Sequence, residues 1–436
     1  MTSAADDLSS RDQSRLVAIS FTPGAAPLSR AMTRLESRSG PSGGSPPSHE
    51  LFVCGRLCLL GEHSDWAGGF RSENPDVPTG KCLVLGTGDA GLHATVTADA
   101  PGSTLEFAST DDRGVRRERR FALDDPAALA LEASEGGFWS HVAGTCLHMV
   151  TDAPRADLTN RALARRGLRI VNHRTTLPVK KGLSSSAAVC VLIARAFSVA
   201  FGLGMDAVAE MDAAYAGERR TPSKCGRMDQ ACAFGPGRPV LLTFDGADPA
   251  APVRVEPLLE IGADLHLVVA DLELGKDTVA ILRNLQRAYP SHGDDPVFEG
   301  VHRLLGESNH AFIETAVDAI ARGDARALGR AYADAQAAFD ASAGKASPAE
   351  LAAPGLKRCL RHPKLAPGPG GCVLGGKGVG SQGDGAVQFV CDGEEGAARC
   401  AEVLAQEFGL KAMRITVRKT ADARDERERE TRRTIA

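Results

Sequence analysis

Residues 177–202 read LPVKKGLSSSAAVCVLIARAFSVAFG. A Pro and Gly turn feeds three serines into a long Ala-rich apolar run, which predicts a buried helix from Ser184 with a serine side-chain cap. A glycine turn entering a helix points free backbone N–H groups and the positive end of the helix dipole at one spot, where a phosphate can be held. Serine hydroxyls there add hydrogen bonds, and one could ligate the Mg²⁺ that accompanies a nucleotide. A Ser-capped core helix behind an ordinary turn accounts for the same residues. The GxxxxGK[ST] pattern of a Walker A loop is absent.

Upstream, Leu51 to Leu60 form an apolar run broken by Gly55 and Arg56, which suits a buried strand, and Gly61-Glu62-His63-Ser64-Asp65-Trp66 follows at once. Polar groups clustered at a strand end beside glycines suit recognition of a hydroxyl-rich molecule, although a surface ion-pair network or a metal site would use the same residue types. Residues 168–172, LRIVN, are a second strand candidate. Downstream comes a polar helix around 206–215, then CGRMDQ at 225–230. There Asp229 can accept a hydroxyl proton or align a nucleophile, or simply cap a helix beginning at Gln230.

The second half opens with LHLVVADL (265–272) as a strand. DTVAILRNLQRAY follows, placing Val279, Leu282, Leu285 and Tyr289 on one helical face. Helices are expected at 309–321 and 324–341, separated by Gly323. Residues 370–385 are too glycine-dense for a core strand or helix and read as an ordered loop approaching a ligand. AVQFV and MRITVRK form a final strand pair. Mixed strands and helices place the chain in the α/β or α+β class.

The 436 residues, 43% hydrophobic and 24% charged, suffice for two domains around one site. With 51 Lys+Arg against 55 Asp+Glu, the chain has no global field to draw in nucleic acid or an anionic membrane. Eleven cysteines without CxxC spacing, and no apolar run of membrane or signal-peptide length, predict reduced thiols in a soluble, cytoplasmic protein. The Gly/Ser/Pro-rich first 48 residues read as a flexible lead and 422–436 as a charged tail.

Taken in order, GRLCLLGEHSDW, LPVKKGLSSSAA, CGRMDQ and the late glycine loop resemble the motifs of the GHMP kinases. The first two look most like those of galactokinases, although Trp66 stands where a Tyr is typical. The resemblance implies an α+β, two-domain fold. An N-terminal domain (49–262) with helices over its sheet would meet a ferredoxin-like C-terminal domain (263–421), with the site in the cleft between them. It implies ATP-dependent phosphorylation of a monosaccharide hydroxyl, the anomeric one, with galactose the leading candidate and arabinose or glucuronate open. A mevalonate-type kinase and a silent sugar/ATP sensor are the alternatives. Carried over by position, the resemblance makes Asp229 and Arg56 catalytic and sets Glu62, His63, Asp65 and Gly226 at the sugar. Gly182, Leu183, Ser184, Ser185 and Ser186 would wrap the ATP phosphates, and Ser186 and Glu218 would hold Mg²⁺. The implied partners are sugar and ATP, with no nucleic acid or membrane.

Overall fold

Strand β1 (Ser48–Leu60) is almost wholly buried from Val53 onward, as a continuous apolar run requires when both faces are covered. The computed structural model describes residues 47–178, 182–223, 225–249 and 252–420. Nearly all of the expected lead, the charged tail, and Val179 to Lys181 of the serine turn lie outside these. β1 pairs antiparallel with β2 (Gly80–Ala100), a 21-residue strand. Three more strands, β3 (Thr104–Thr110), β4 (Arg116–Ala122) and β5 (Gly167–Thr175), precede the serine turn. With β6 (Pro239–Phe244) and β7 (Val253–Pro257) they build a seven-stranded sheet in the order β4-β3-β5-β2-β6-β7, β1 lying against β2. Among the described residues, β3 and β5 are the one pair that runs parallel.

The second sheet holds β8 (Leu265–Asp271), β9 (Val373–Gly378), β10 (Ala386–Cys391) and β11 (Ala412–Val417) in the order β11-β8-β10-β9, antiparallel throughout. Helices Asn309–Arg322 and Ala325–Ala346 lie between β8 and β9, and Gly393–Phe408 between β10 and β11. This is the β-α-β-β-α-β succession of a ferredoxin-like unit with an enlarged first crossover. The main hydrophobic core is one cluster that runs between the lobes: it holds Leu57, Leu85 and Ile193 from the first lobe and Leu267, Ile313, Ile320 and Val417 from the second. Among the described residues no helix is long and apolar enough to cross a membrane. All eleven thiols are unpaired, and all but Cys225 are buried.

Four expectations give way to packing. AVQFV and MRITV are not partners; β8 lies between them and pairs with both. Val279 is 73% exposed; Leu285 and Tyr289 of the expected face are buried, and Ala280 and Ile281 rather than Val279 complete the buried side. Residues 373–378 of the glycine-dense stretch form β9, because the glycines admit a helix rather than a ligand. A Cβ on Gly375 would stand 1.9 Å from the Gly329 carbonyl oxygen of the overlying helix Ala325–Ala346. The helix after the serine turn runs Ser185–Phe201 as expected and stops at Gly202, whose φ of 64° suits a residue without Cβ. Its start differs, since Ser184 makes no side-chain cap.

Arg195 on that helix is a buried cation that joins the first lobe. It pairs with Glu210 of helix Ala207–Glu218 at 2.7 Å. It also donates to the carbonyls of Phe52 in β1 at 3.0 Å and Ala233 at 2.8 Å. Removing one partner of a buried pair strands the other's charge. Arg195→Met is therefore expected to lower unfolding free energy by about 3–5 kcal/mol, and adding Glu210→Leu to recover part of that loss, measured by urea denaturation.

Candidate active site

The path of β1 sets the first functional group. The pairing register slips between Cys54 and Arg56, where Gly55 donates its N–H to Thr87 Oγ1 at 2.8 Å. A Cβ at Gly55 would lie 2.7 Å from the Leu183 carbonyl, so only glycine lets this strand come so near the serine turn. Arg56 then donates its backbone N–H to that same carbonyl at 3.0 Å. Strand and turn are thereby bonded side by side.

On this scaffold the guanidinium of Arg56 forms a salt bridge with Asp229, the first residue of the 3-10 turn Asp229–Phe234. Its Nε and Nη1 are buried without a protein partner. Ser184, held left-handed at φ 59°, donates its hydroxyl to Asp229 Oδ1 at 2.9 Å. The serine expected to cap the helix instead binds the acid that was read as catalytic or as a cap. Asp229 opens the turn itself and caps no helix at Gln230. Gly182, at φ 75°, is exposed, and Ser184 to Ser186 are half-buried at the helix mouth. Leu183 is a core anchor: its side chain is buried and its carbonyl is spent on Arg56, so toward phosphate it offers backbone alone.

Glu218 ends the helix Ala207–Glu218 with no exposed surface. Gln230 Nε2 donates to its Oε2 at 2.7 Å, and His141 Nε2 lies 3.5 Å from its Oε1. Burial raises its pKa, but hydrogen bonds and charge from His141, Ser186 and Gln230 outweigh that and hold the carboxylate below its ordinary range. An ionised carboxylate touching a serine hydroxyl is a hard oxygen donor set, which fits Mg²⁺ shared with nucleotide phosphates. Among the described residues no group of three or more His, Cys, Asp or Glu could hold a metal by itself. Ser186 and Glu218 are brought together as expected.

The GEHSD segment divides. Asp65 lies in the short helix Ser64–Gly69, buried, with burial raising its carboxyl pKa. A Cβ on Gly226 would stand 1.5 Å from Asp65 Oδ2, so Gly226 makes room for this acid. Glu62, expected at a sugar hydroxyl, is instead paired with Lys377 of β9, and both side chains are buried. His63 is held at φ 71°, accepts from Trp66 Nε1 at 3.2 Å, and stacks on Phe339 with ring centroids 6.0 Å apart. Sequence reasoning missed Lys377 and His141. Lys377 lay inside the quoted glycine stretch, whereas nothing in the local sequence marked His141.

Residues 150–236 match the family model described as the GHMP kinases N terminal domain, which spans the serine turn, Glu218 and Asp229. No curated protein sequence is significantly similar to this chain. Its fold is similar to Lactococcus lactis galactokinase complexed with galactose, at 16% identity over 85% of this chain and 93% of that one, TM-score 0.59. It is likewise similar to L. major mevalonate kinase in complex with R-mevalonate, at 16% identity over 88% of this chain and 100% of the other, TM-score 0.59. Homoserine kinase from Cytophaga hutchinsonii matches at 15% over 88% and 97%, TM-score 0.54.

Burial holds the His63 imidazole at a pKa of about 4, against a smaller opposing effect from the Ser381 backbone. The unfolded chain therefore binds a proton that the folded chain refuses between about pH 6.5 and 4. Stability from this residue is present above pH 6.5 and falls as pH drops through that window, by about 3 kcal/mol in all. His63→Gln should flatten the pH dependence of urea unfolding between those limits; an unchanged slope would contradict the assignment.

Proposed function

We propose that the chain, whose residues 150–236 match the GHMP kinases N terminal domain and whose fold is similar to galactokinase and mevalonate kinase structures, transfers the γ-phosphoryl group of ATP to a hydroxyl of a monosaccharide-type acceptor, at the anomeric position. The observation that carries this reading is the junction of Asp229 with Arg56 and Ser184 at the mouth of the helix Ser185–Phe201. One point of the protein thus combines an acid able to align a hydroxyl, a cation with donors to spare, and the N-terminus of a 17-residue helix. The first backbone N–H groups of that helix have no partner within it and suit a phosphate.

In this reading Asp229 takes or directs the proton of the attacking hydroxyl. Arg56 fixes the acid in place and turns its unpartnered Nε and Nη1 toward the charge of the transferring phosphoryl, which only a cation with several donors can do. Ser184 restrains the same carboxylate, so the proton acceptor and the phosphate turn move as one unit. Ser186 and Glu218 would hold Mg²⁺, which when bound supplies neutralising charge at the phosphates. Asp65, with room provided by Gly226, would face the hydroxyls of the acceptor.

A coupled ADP-release assay over a panel of monosaccharides, their acids and mevalonate tests the reading. Asp229→Ala should lose about 10²–10⁴-fold in kcat while still binding ATP. Full activity in that variant would defeat the mechanism, and binding of ATP and sugar with no product from any acceptor would identify a ligand sensor. Glu218→Gln should raise the Mg²⁺ concentration needed for half-maximal rate; an unchanged requirement removes Glu218 from the metal.

A further inference from the structure

Among the described residues three glutamates are buried, and they are satisfied in two different ways. Glu62 is paired with Lys377 and Glu210 with Arg195, so each of these carboxylates has its charge met by a cation of the protein. Glu218, with no exposed surface, is met by an amide, two hydroxyls and an imidazole. Gln230 Nε2 donates to its Oε2 at 2.7 Å, Ser223 Oγ donates to its Oε1 at 3.5 Å, and His141 Nε2 stands 3.5 Å from the same Oε1. Ser186 supplies the second hydroxyl. An amide or a hydroxyl fixes the direction of a carboxylate and favours its ionised form without supplying a balancing positive charge. A carboxylate held in that way can still take a divalent cation.

Gln230 follows Asp229 in the turn Asp229–Phe234, and its side chain is wholly buried. Its amide nitrogen also faces Cys225 Sγ at 3.6 Å. The reverse orientation of the amide would set Oε1 against the carboxylate, so the acid dictates which end faces it. The amide keeps this orientation although its Oε1 is a buried acceptor without a partner among the described residues, which is costly in itself. His141 lies in the first turn of the helix Ser140–Thr151, which packs on the helix Ala207–Glu218 through a glycine from each side. A Cβ on Gly217 would stand 2.5 Å from Thr145 Cα, and one on Gly144 would stand 2.5 Å from the Gly217 carbonyl oxygen. Glu218 is the next residue, so the close contact that needs both glycines also brings imidazole to carboxylate. From the other side, Ser184 donates to Asp229 while Ser186 touches the acid that Gln230 holds. The serine turn and the turn of Asp229 are thereby fastened at two adjacent points.

We propose that Gln230 and His141 act as positioning residues for the metal, holding the Glu218 carboxylate in one orientation beside Ser186, so that affinity for Mg²⁺ depends on two side chains that do not themselves bind it. This rests on the kinase reading, and within it on Glu218 as the metal acid. Outer partners of this kind set the direction of a ligand, and losing one costs about 10–100-fold in metal affinity. Without the amide of Gln230 the carboxylate is free to turn about its last bond, and its two oxygens no longer keep separate tasks.

The test measures Mn²⁺ binding to the full chain with a non-hydrolysable ATP analogue, from the electron spin resonance signal of free Mn²⁺. Gln230→Met, close in size but without a donor, should weaken Mn²⁺ binding about 10-fold or more, with affinity for the analogue in EDTA unchanged. In the ADP-release assay the same variant should need correspondingly more Mg²⁺ for half-maximal rate, while kcat at saturating Mg²⁺ falls by much less. A purely structural role would lower stability and leave the metal affinity of the folded protein where it was. Mn²⁺ affinity within about twofold of wild type in folded Gln230→Met overturns the proposal. Should that variant not fold, His141→Leu, at a side chain 26% exposed, gives the second measurement. The same weakening is expected there, and His141→Gln, which still carries a donor, should recover part of it; an unmoved affinity in His141→Leu overturns the proposal. Failure of the kinase reading is separate, since it appears as no ADP release from any acceptor. Glu218→Gln binding Mn²⁺ as tightly as wild type defeats the metal acid and this inference together, whereas a weakened Glu218→Gln beside an unaffected Gln230→Met defeats this inference alone.

Discussion

The buried guanidinium of Arg195 is the constraint on which the first lobe depends. An isolated charge in an apolar core is prohibitively costly, so every donor must find an acceptor in a fixed place. Arg195 finds Glu210, the Phe52 carbonyl and the Ala233 carbonyl. Phe52 lies four residues before Arg56 on β1, and Ala233 four residues after Asp229 on the 3-10 turn. The helix bearing Arg195 is the same one that begins at the three serines. One cation thus fixes the three segments whose meeting defines the candidate site, while contributing nothing to its chemistry.

A second buried pair, Glu62 with Lys377, does the corresponding work between the lobes. It joins the end of β1 to β9 through a side chain from each sheet, and the core running from Leu57 to Val417 seals the contact. With Glu62 occupied by Lys377, Arg56 Nε and Nη1 are among the buried donors left without a protein partner.

The elements legible in the sequence were those whose local pattern and tertiary role agree. The run 184–201 is apolar on every face and is a helix buried among other elements, and LHLVVAD is a core strand. Arg56, Asp229 and Ser184, which the resemblance assigned to one site, meet at one point, and Ser186 bonds Glu218. The failures have one kind of cause. Ser184 looks like a cap because serine usually is one, yet a left-handed backbone turns its hydroxyl to Asp229. Gly375 and Gly376 look like a ligand loop, yet they let the helix Ala325–Ala346 and the ring of Phe389 close on a strand. Glycine declares that something comes near without saying what.

The sequence by itself determined the mixed class of the fold and the short motifs whose residues meet around Asp229, because these are contiguous segments with fixed local geometry. Only the tertiary structure decided which of those groups remain free to act. Glu62 is drawn away by Lys377, 315 positions along the chain, while His63 is fixed by Trp66 only three positions off. Hydrogen bonds and charge saturate: a group that has met a partner from a distant segment is no longer available, and its partner is set by packing rather than by its neighbours in sequence.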